Sequence, residues 1–78
     1  MTSREDIVAL LYRRGFTKKP NTDLFYNPDA PGIRYRATRI MLRREHRLES
    51  GPWVRACSNY FKNLSISEGD KIAGMRRG

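Results

Sequence analysis

The sequence predicts an α+β domain, with an N-terminal helix packed on a small antiparallel β-sheet. Apolar residues in Ser3–Arg14 recur at helical spacing. Apolar and basic residues alternate strictly in Ile33–Ala37, which is typical of a strand with one buried face. The chain has 78 residues, so we expect one small basic domain, residues 1–78, with a modest core.

The helix is predicted over Ser3–Arg14. Ser3 can cap it, and Asp6 follows at the spacing of a capping box. Gly15 suits the left-handed conformation that commonly ends a helix. The predicted apolar face consists of Ile7, Leu10 and Leu11.

A β-hairpin is predicted after the helix. Thr17–Thr22 reads as a polar connector because Pro20 disfavours regular structure. Leu24–Tyr26 is a short aromatic strand candidate, and Asn27–Gly32 is dense in turn-forming residues. We therefore expect Leu24–Tyr26 to pair with Ile33–Ala37.

The alternation in Ile33–Ala37 assigns its side chains to opposite faces. Ile33, Tyr35 and Ala37 share the face toward the core, and Arg34 and Arg36 share the other. We expect both arginines to face solvent or a ligand. Reversing their charge should then weaken binding and leave the fold intact.

The apolar pattern changes phase after Thr38, and two interpretations stay open. A β-bulge can shift the register of a strand that runs to about Arg44. Alternatively, a helix begins here and ends at Gly51–Pro52. The bulged strand is preferred because the neighbouring segments have β-type patterns.

A second helix is predicted around residues 52–62. Its evidence is a stripe of apolar residues at helical spacing, formed by Trp53, Cys57, Tyr60, Phe61 and Leu64. A strand stays open as the alternative. It would place on one face Val54, Ala56, Tyr60, Leu64 and Ile66, interrupted by Ser58 and Lys62.

The C-terminal segment predicts a second β-hairpin. Leu64–Ser67 and Lys71–Met75 are its strands, with Gly69 in the turn. Arg76 and Arg77 form a basic end. The predicted core comprises Ile7, Leu10, Leu11, Phe16, Phe25, Tyr35, Ile40, Trp53, Phe61, Leu64 and Ile66.

The charge pattern predicts a non-enzymatic nucleic-acid-binding module. The chain carries 16 Lys and Arg against 8 Asp and Glu, and Ile33–Arg47 alone holds six arginines and one acid. Guanidinium groups match phosphate geometry, and neighbouring aromatic rings can stack on bases. The predicted phosphate contacts are Arg34, Arg36, Arg39, Arg43, Arg44 and Arg47. The predicted stacking residues are Tyr26 and Tyr35.

A small inhibitor or adaptor protein is the alternative. The same basic surface would then bind an acidic groove of a host protein or nucleoprotein. By size and charge alone, the chain is similar to phage and mobile-element accessory proteins, including anti-CRISPR inhibitors. Trp53, Tyr60 and Arg55 are the candidate partner-binding residues, and a homo-oligomer stays open.

Neither catalysis nor a cofactor is expected. His46 is the only histidine and Cys57 the only cysteine, so no zinc site can be assembled from such residues. The carboxylates have no spacing typical of acid–base chemistry. A lone thiol, no signal-peptide core and no membrane-length apolar segment lead us to expect a cytoplasmic protein that binds no membrane.

The segment SREDIVALLYRRGF, followed by a strand, resembles the opening of HicA-type mRNA interferases. These are small basic proteins with a double-stranded-RNA-binding-like fold. The resemblance covers about the first 16 residues. Those toxins carry a histidine on the strand after the helix, whereas Thr17–Tyr26 contains none. No catalytic residue is therefore carried over, and the chain is not assigned to that family.

Overall fold

A computed structural model describes residues 2–75. It shows one α-helix, α1 (Arg4–Arg13), and a five-stranded antiparallel sheet whose strands follow chain order. The strands are β1 (Thr17–Lys18), β2 (Leu24–Tyr26), β3 (Ile33–Ala37), β4 (Met41–His46) and β5 (Val54–Tyr60). A 3-10 helix (Phe61–Asn63) and a separate hairpin of β6 (Ser65–Ser67) and β7 (Lys71–Ala73) follow. The predicted α+β class is confirmed.

Local signals at both ends define α1, as predicted. The Ser3 hydroxyl accepts a hydrogen bond from the Asp6 backbone N–H at 3.2 Å, and the Asp6 carboxylate accepts one from the Ser3 N–H at 3.2 Å. This reciprocal capping box satisfies backbone donors that a helix start leaves free. Gly15 follows the helix with φ of +91°, a conformation that glycine adopts without steric cost.

Replacing Ser3 by alanine should destabilise the domain by roughly 1 kcal/mol, because the cap accepts a backbone hydrogen bond. For a chain of this size that corresponds to a fall in Tm of roughly 4–8 °C. Thermal unfolding followed by circular dichroism measures it. Ser3→Thr keeps the hydroxyl and is the control. Equal Tm values for Ser3→Ala and wild type would show that the cap contributes nothing.

The β2–β3 hairpin is also as predicted, with Phe25 opposite Tyr35 and Tyr26 opposite Arg34. The preceding connector differs from the prediction. Its first residues, Thr17–Lys18, pair with β2 as a short edge strand. Pro20 therefore limits the length of this strand and does not prevent it.

The predicted helix after Thr38 is wrong. The preferred strand is present as Met41–His46, but it does not continue β3, because the chain reverses at Thr38. The Thr38 N–H donates to the Met41 carbonyl at 2.9 Å, and its hydroxyl accepts from the Met41 N–H at 3.0 Å. This tight turn joins β3 to β4. Ile40, predicted in the core, lies in the turn and is 61% exposed.

The predicted second helix around residues 52–62 is wrong, and a strand, β5, occupies most of that segment. A β-bulge shifts the β4–β5 register: Arg44 pairs with Cys57, whereas the next residue, Glu45, pairs with Arg55. Because Ala56 is the extra residue, Cys57 and Arg55 lie on opposite faces. The bulge breaks the two-residue period of a strand, which explains why the sequence suggested a helix.

The core lies between α1 and one side of the sheet, and the β6–β7 hairpin packs against the same core. Trp53 is not part of this cluster, contrary to prediction, whereas Ala37, Leu42 and Cys57 are buried although they were absent from the predicted core. The buried cluster comprises Ile7, Leu11, Phe16, Phe25, Tyr35, Ala37, Leu42, Phe61 and Leu64.

Side-chain contacts fix α1 on the sheet at both ends. The Arg4 guanidinium donates to the Ala37 and Thr38 carbonyls at 3.3 and 3.1 Å, next to the β3–β4 turn. At the other end Arg13 contacts Asp70 of the β6–β7 turn at 3.4 Å. The Arg4 contacts join α1 to the sheet, whereas the exposed Arg13–Asp70 pair joins it to the β6–β7 hairpin and contributes little stability.

Candidate functional site

The face of the sheet opposite α1 carries two rows of side chains across β2–β5. One row is Tyr26, Arg34, Glu45 and Arg55, and the other is Leu24, Arg36, Arg43 and Ser58. Trp53 and Arg47 pack at one end of the first row. We call these ten residues the open face, because no described helix or hairpin covers them.

A single carboxylate, Glu45, organises the open face. Its side chain is 7% exposed and lies 2.6 Å from Arg34 Nε, 3.5 Å from Arg43 Nη1 and 3.7 Å from Arg36 Nε. Burial alone would raise the pKa of this carboxyl. The hydrogen bond and charge of Arg34, with help from Arg36 and Arg43, outweigh burial and hold the pKa below its ordinary value.

Arg34 positions the other groups of this face. Its side chain is 14% exposed, and it donates to Glu45 and to the Tyr26 hydroxyl, the latter at 2.9 Å. Its guanidinium carbon also lies 4.4 Å from the centroid of the Trp53 ring. Burial acts to lower the pKa of Arg34. The hydrogen bonds to Glu45 and Tyr26 outweigh burial, so the pKa lies above its usual value. Arg34 lies on the predicted face, but its side chain is largely buried against Glu45, Tyr26 and Trp53 and is not open to solvent.

Arg36 and Arg43 are partly exposed on the open face. They are direct cross-strand partners, and their side chains are 32% and 36% exposed. The Asp23 carboxylate, directly before β2, accepts a hydrogen bond from Arg36 Nη1 at 3.2 Å. A guanidinium has five donors, so Arg43, with one hydrogen bond to Glu45 among the described residues, keeps most of its donors for an anion.

An open cleft adjoins the Arg34 end of this face. The Tyr26 and Trp53 rings meet edge to face, with centroids 6.1 Å apart and planes at 74°. The Arg47 guanidinium lies 5.0 Å from the Trp53 ring centroid. The cleft has a volume of about 480 Å³ and is lined by Thr17, Lys19, Tyr26, Asn27, Pro28, Pro31, Arg47 and Trp53.

The six predicted arginines do not form one surface. Arg44 pairs with Tyr35 and Cys57, both buried, and so lies on the helix side of the sheet. Arg39 is exposed in the β3–β4 turn. The sheet thus separates Arg43 from its neighbour Arg44, because successive strand residues point to opposite faces.

Tyr35 is not available for stacking, contrary to prediction. It is 5% exposed and meets the Phe16 ring edge to face at 5.2 Å. Tyr26, the other predicted stacking residue, lines the cleft.

The predicted partner-binding residues are spread over β5. Trp53 precedes the strand and Tyr60 ends it, so the two aromatic residues lie at opposite ends, and Arg55 belongs to the open face. Tyr60 is 45% exposed and borders a second pocket of about 370 Å³. This pocket is lined by Arg4, Arg39, Ile40, Tyr60, Phe61 and Lys62.

Cys57 and His46 are the only thiol and the only imidazole of the chain. Cys57 is fully buried, and His46 Nε2 is buried with no hydrogen-bond partner among the described residues. Residues 2–75 contain no group of three or more His, Cys, Asp or Glu placed to hold a metal ion. No helix in this part of the chain is long and apolar enough to cross a membrane.

Glu45 lies at the centre of the ion-pair cluster, and the sequence analysis does not include it among the candidate site residues. One signal could have found it, because it is the single acid in a segment with six arginines. An isolated acid among so many cations is a natural shared partner for several of them.

The chain matches no known protein family, no curated protein and no solved structure. The likeness of its first residues to HicA-type interferases therefore has no family match behind it. The interpretation of the site depends on its geometry and charge.

Proposed function

We propose that this protein binds nucleic acid, without catalysis, through the open face of its sheet. The observation that carries the proposal is the pair Arg36 and Arg43, held side by side on Glu45 with donors to spare. The open face contains five arginines and one acid, Glu45. Such an excess of positive charge on an uncovered surface favours a polyanion.

Glu45 makes this surface well suited to phosphate. An exposed arginine loses rotamer freedom when it binds, and that loss weakens the complex. Here the guanidiniums are already ordered by a shared carboxylate, so part of that loss occurs on folding. Phosphate can then accept charge-assisted hydrogen bonds from Arg36 and Arg43. These contacts provide affinity without sequence specificity.

The chain offers a matched pair of variants to test this proposal. Arg43→Gln and Arg44→Gln remove the same charge from neighbouring residues on opposite faces of β4. The affinity for a labelled oligonucleotide should be measured by fluorescence anisotropy at several salt concentrations. Arg43→Gln should weaken binding and reduce the slope of log affinity against log salt by roughly 0.7 for single strands or 0.9 for a duplex. Arg44→Gln should leave the slope unchanged.

Circular dichroism should confirm that both variants are folded. Equal slopes for Arg43→Gln and wild type would contradict the proposal. So would a larger loss for Arg44→Gln, because it would place the ligand on the helix side.

Binding of an acidic protein partner is a second candidate, favoured by the pocket beside the β3–β4 turn. The lining of this pocket includes two exposed residues with large apolar surfaces, Ile40 and Tyr60. Its cations are Arg4, Arg39 and Lys62. An apolar anchor surrounded by acids would fit such a pocket. Affinity purification from native lysate, with and without nuclease, separates the two candidates. A stoichiometric protein that survives nuclease and is lost with Tyr60→Ala would support this one.

We place this binding in the cytoplasm. Cys57 is the only cysteine in the chain and is a free, buried thiol. A free thiol is typical of reducing compartments, which suits a protein that acts on intracellular nucleic acid.

A further inference from the structure

We propose that the cleft lined by Tyr26 and Trp53 holds one unpaired base of a single-stranded nucleic acid. This inference rests on the proposed function and adds the strandedness of the ligand and the place of a base. This cleft adjoins the ion-pair cluster through Arg34, which donates to the Tyr26 hydroxyl and lies over the Trp53 ring.

The two aromatic rings provide the surface for a base. Because the Tyr26 and Trp53 planes meet at 74°, a flat base that stacks on one ring presents its edge to the other. Both arrangements are favourable for aromatic groups. Arg34 fixes both rings, through the Tyr26 hydroxyl and through its contact with Trp53, so the cleft is formed before a ligand arrives.

Two cations that line the cleft can bind the phosphates on either side of a base. Lys19 and Arg47 are part of its lining, and Arg47 also offers a guanidinium plane for stacking. The row that contains Arg36 and Arg43 lies beside the row of Tyr26, roughly 7 Å away along the strands. A single strand of nucleic acid can therefore place one base in the cleft and the phosphates that follow it over Arg36 and Arg43.

The shape of this site favours single-stranded ligands over a duplex. Bases in a duplex are paired and stacked, and cannot enter a cleft without being extruded. Exposed aromatic rings next to a basic surface are the features with which proteins bind unpaired bases. A duplex would use the arginines alone.

Trp53 provides a direct measurement, because it is the only tryptophan in the chain. Its emission should be followed while the protein is titrated with three polyanions at low salt. The first is an oligothymidylate of about 12 nucleotides, within the range of small single-strand sites. The second is the duplex of the same length, and the third is inorganic polyphosphate. We expect all three to bind, and the oligothymidylate to quench Trp53 much more than the other two.

Variants of Tyr26 separate stacking from positioning. Tyr26→Leu should weaken oligothymidylate binding by roughly 5- to 150-fold, the usual effect of removing one stacking ring, and leave polyphosphate binding unchanged. Tyr26→Phe keeps the ring without its hydroxyl and should bind like wild type. Tyr12→Leu removes a half-exposed ring on α1, on the other side of the sheet, and is the matched control, with no expected change in binding.

The possible failures are distinguishable. If oligothymidylate binds without quenching Trp53 and Tyr26→Leu has no effect, the cleft does not hold a base. The proposal that the arginines of the open face bind nucleic acid would be unaffected. If Tyr26→Phe loses as much affinity as Tyr26→Leu, Tyr26 acts by positioning Arg34 and stacking is refuted. If none of the three polyanions binds, both the cleft and the proposed function are wrong.

Discussion

Replacing Glu45 by glutamine is expected to destabilise the fold by roughly 3–5 kcal/mol, as observed when one partner of a buried ion pair is removed. The amide keeps the size of the side chain but puts a donor where a carboxylate oxygen accepts from Arg43 and faces Arg36. Arginine has only donors, so three guanidiniums would lose their shared counter-charge. In a domain of this size the loss could exceed half of the total stability.

The effect of Glu45→Gln should depend on pH in a defined direction. The pKa of Glu45 is lowered in the folded state, so its contribution is fully present above the carboxyl pKa of the unfolded chain, about 4.3. The contribution disappears as the pH falls through the lower, folded pKa. The difference in free energy of unfolding between wild type and Glu45→Gln should therefore be large at neutral pH and shrink in acid.

Urea unfolding at a series of pH values measures this difference. Glu68→Gln makes the same chemical change at an exposed turn residue, and should alter stability by less than about 0.5 kcal/mol. If Glu45→Gln matched Glu68→Gln at neutral pH, the carboxylate would not hold the arginines in solution.

Leu10→Ala should destabilise the domain by roughly 2–5 kcal/mol, through lost transfer energy and the cavity left behind. Leu10 is fully buried on the inner face of α1. Small domains have little stability in reserve, so the variant should be largely unfolded at 37 °C. Thermal melting followed by circular dichroism and by Trp53 emission gives the measurement.

Leu48→Ala is the matched control for this prediction. Leu48 is 89% exposed after β4, so the same truncation removes almost no buried surface and should leave the Tm unchanged. A Leu10→Ala variant that melts like Leu48→Ala would show that α1 is not docked on the sheet.

The ion-pair cluster also changes the expectation for charge reversal. From the sequence, Arg34 and Arg36 were expected to tolerate replacement by glutamate. Arg34 lies 2.6 Å from a buried carboxylate, so Arg34→Glu would place two acids together with little water to screen them. For Arg34 the structure instead predicts destabilisation by this replacement, and neutralising Arg43 is the safer test of binding.

Glu45 thereby links stability to the proposed activity. The carboxylate lowers the net charge of the open face by one, yet it holds two exposed guanidiniums in place. A surface of arginines alone would attract a polyanion more strongly at long range but would repel itself on folding. The observed arrangement keeps an excess of positive charge and a defined geometry.

Local sequence signals specify α1 and the turns of the two hairpins. The capping box of Ser3 and Asp6, the turn residues of Asn27–Gly32 and Gly69 between the last strands each specify structure within a few residues. The alternation in Ile33–Ala37 also assigned Arg34 and Arg36 to the correct face, because the period of a strand is a backbone property.

The positions of β4 and β5 and the composition of the site depend on contacts between residues that are distant in the chain. The Thr38 turn and the bulge at Ala56 each shift the side-chain period, so no single pattern spans them. Which arginine meets Glu45, and which of Arg43 and Arg44 faces out, depends on register between strands. That register brings together residues distant in the chain, such as Tyr26, Arg34 and Trp53, whose contacts a local pattern does not encode.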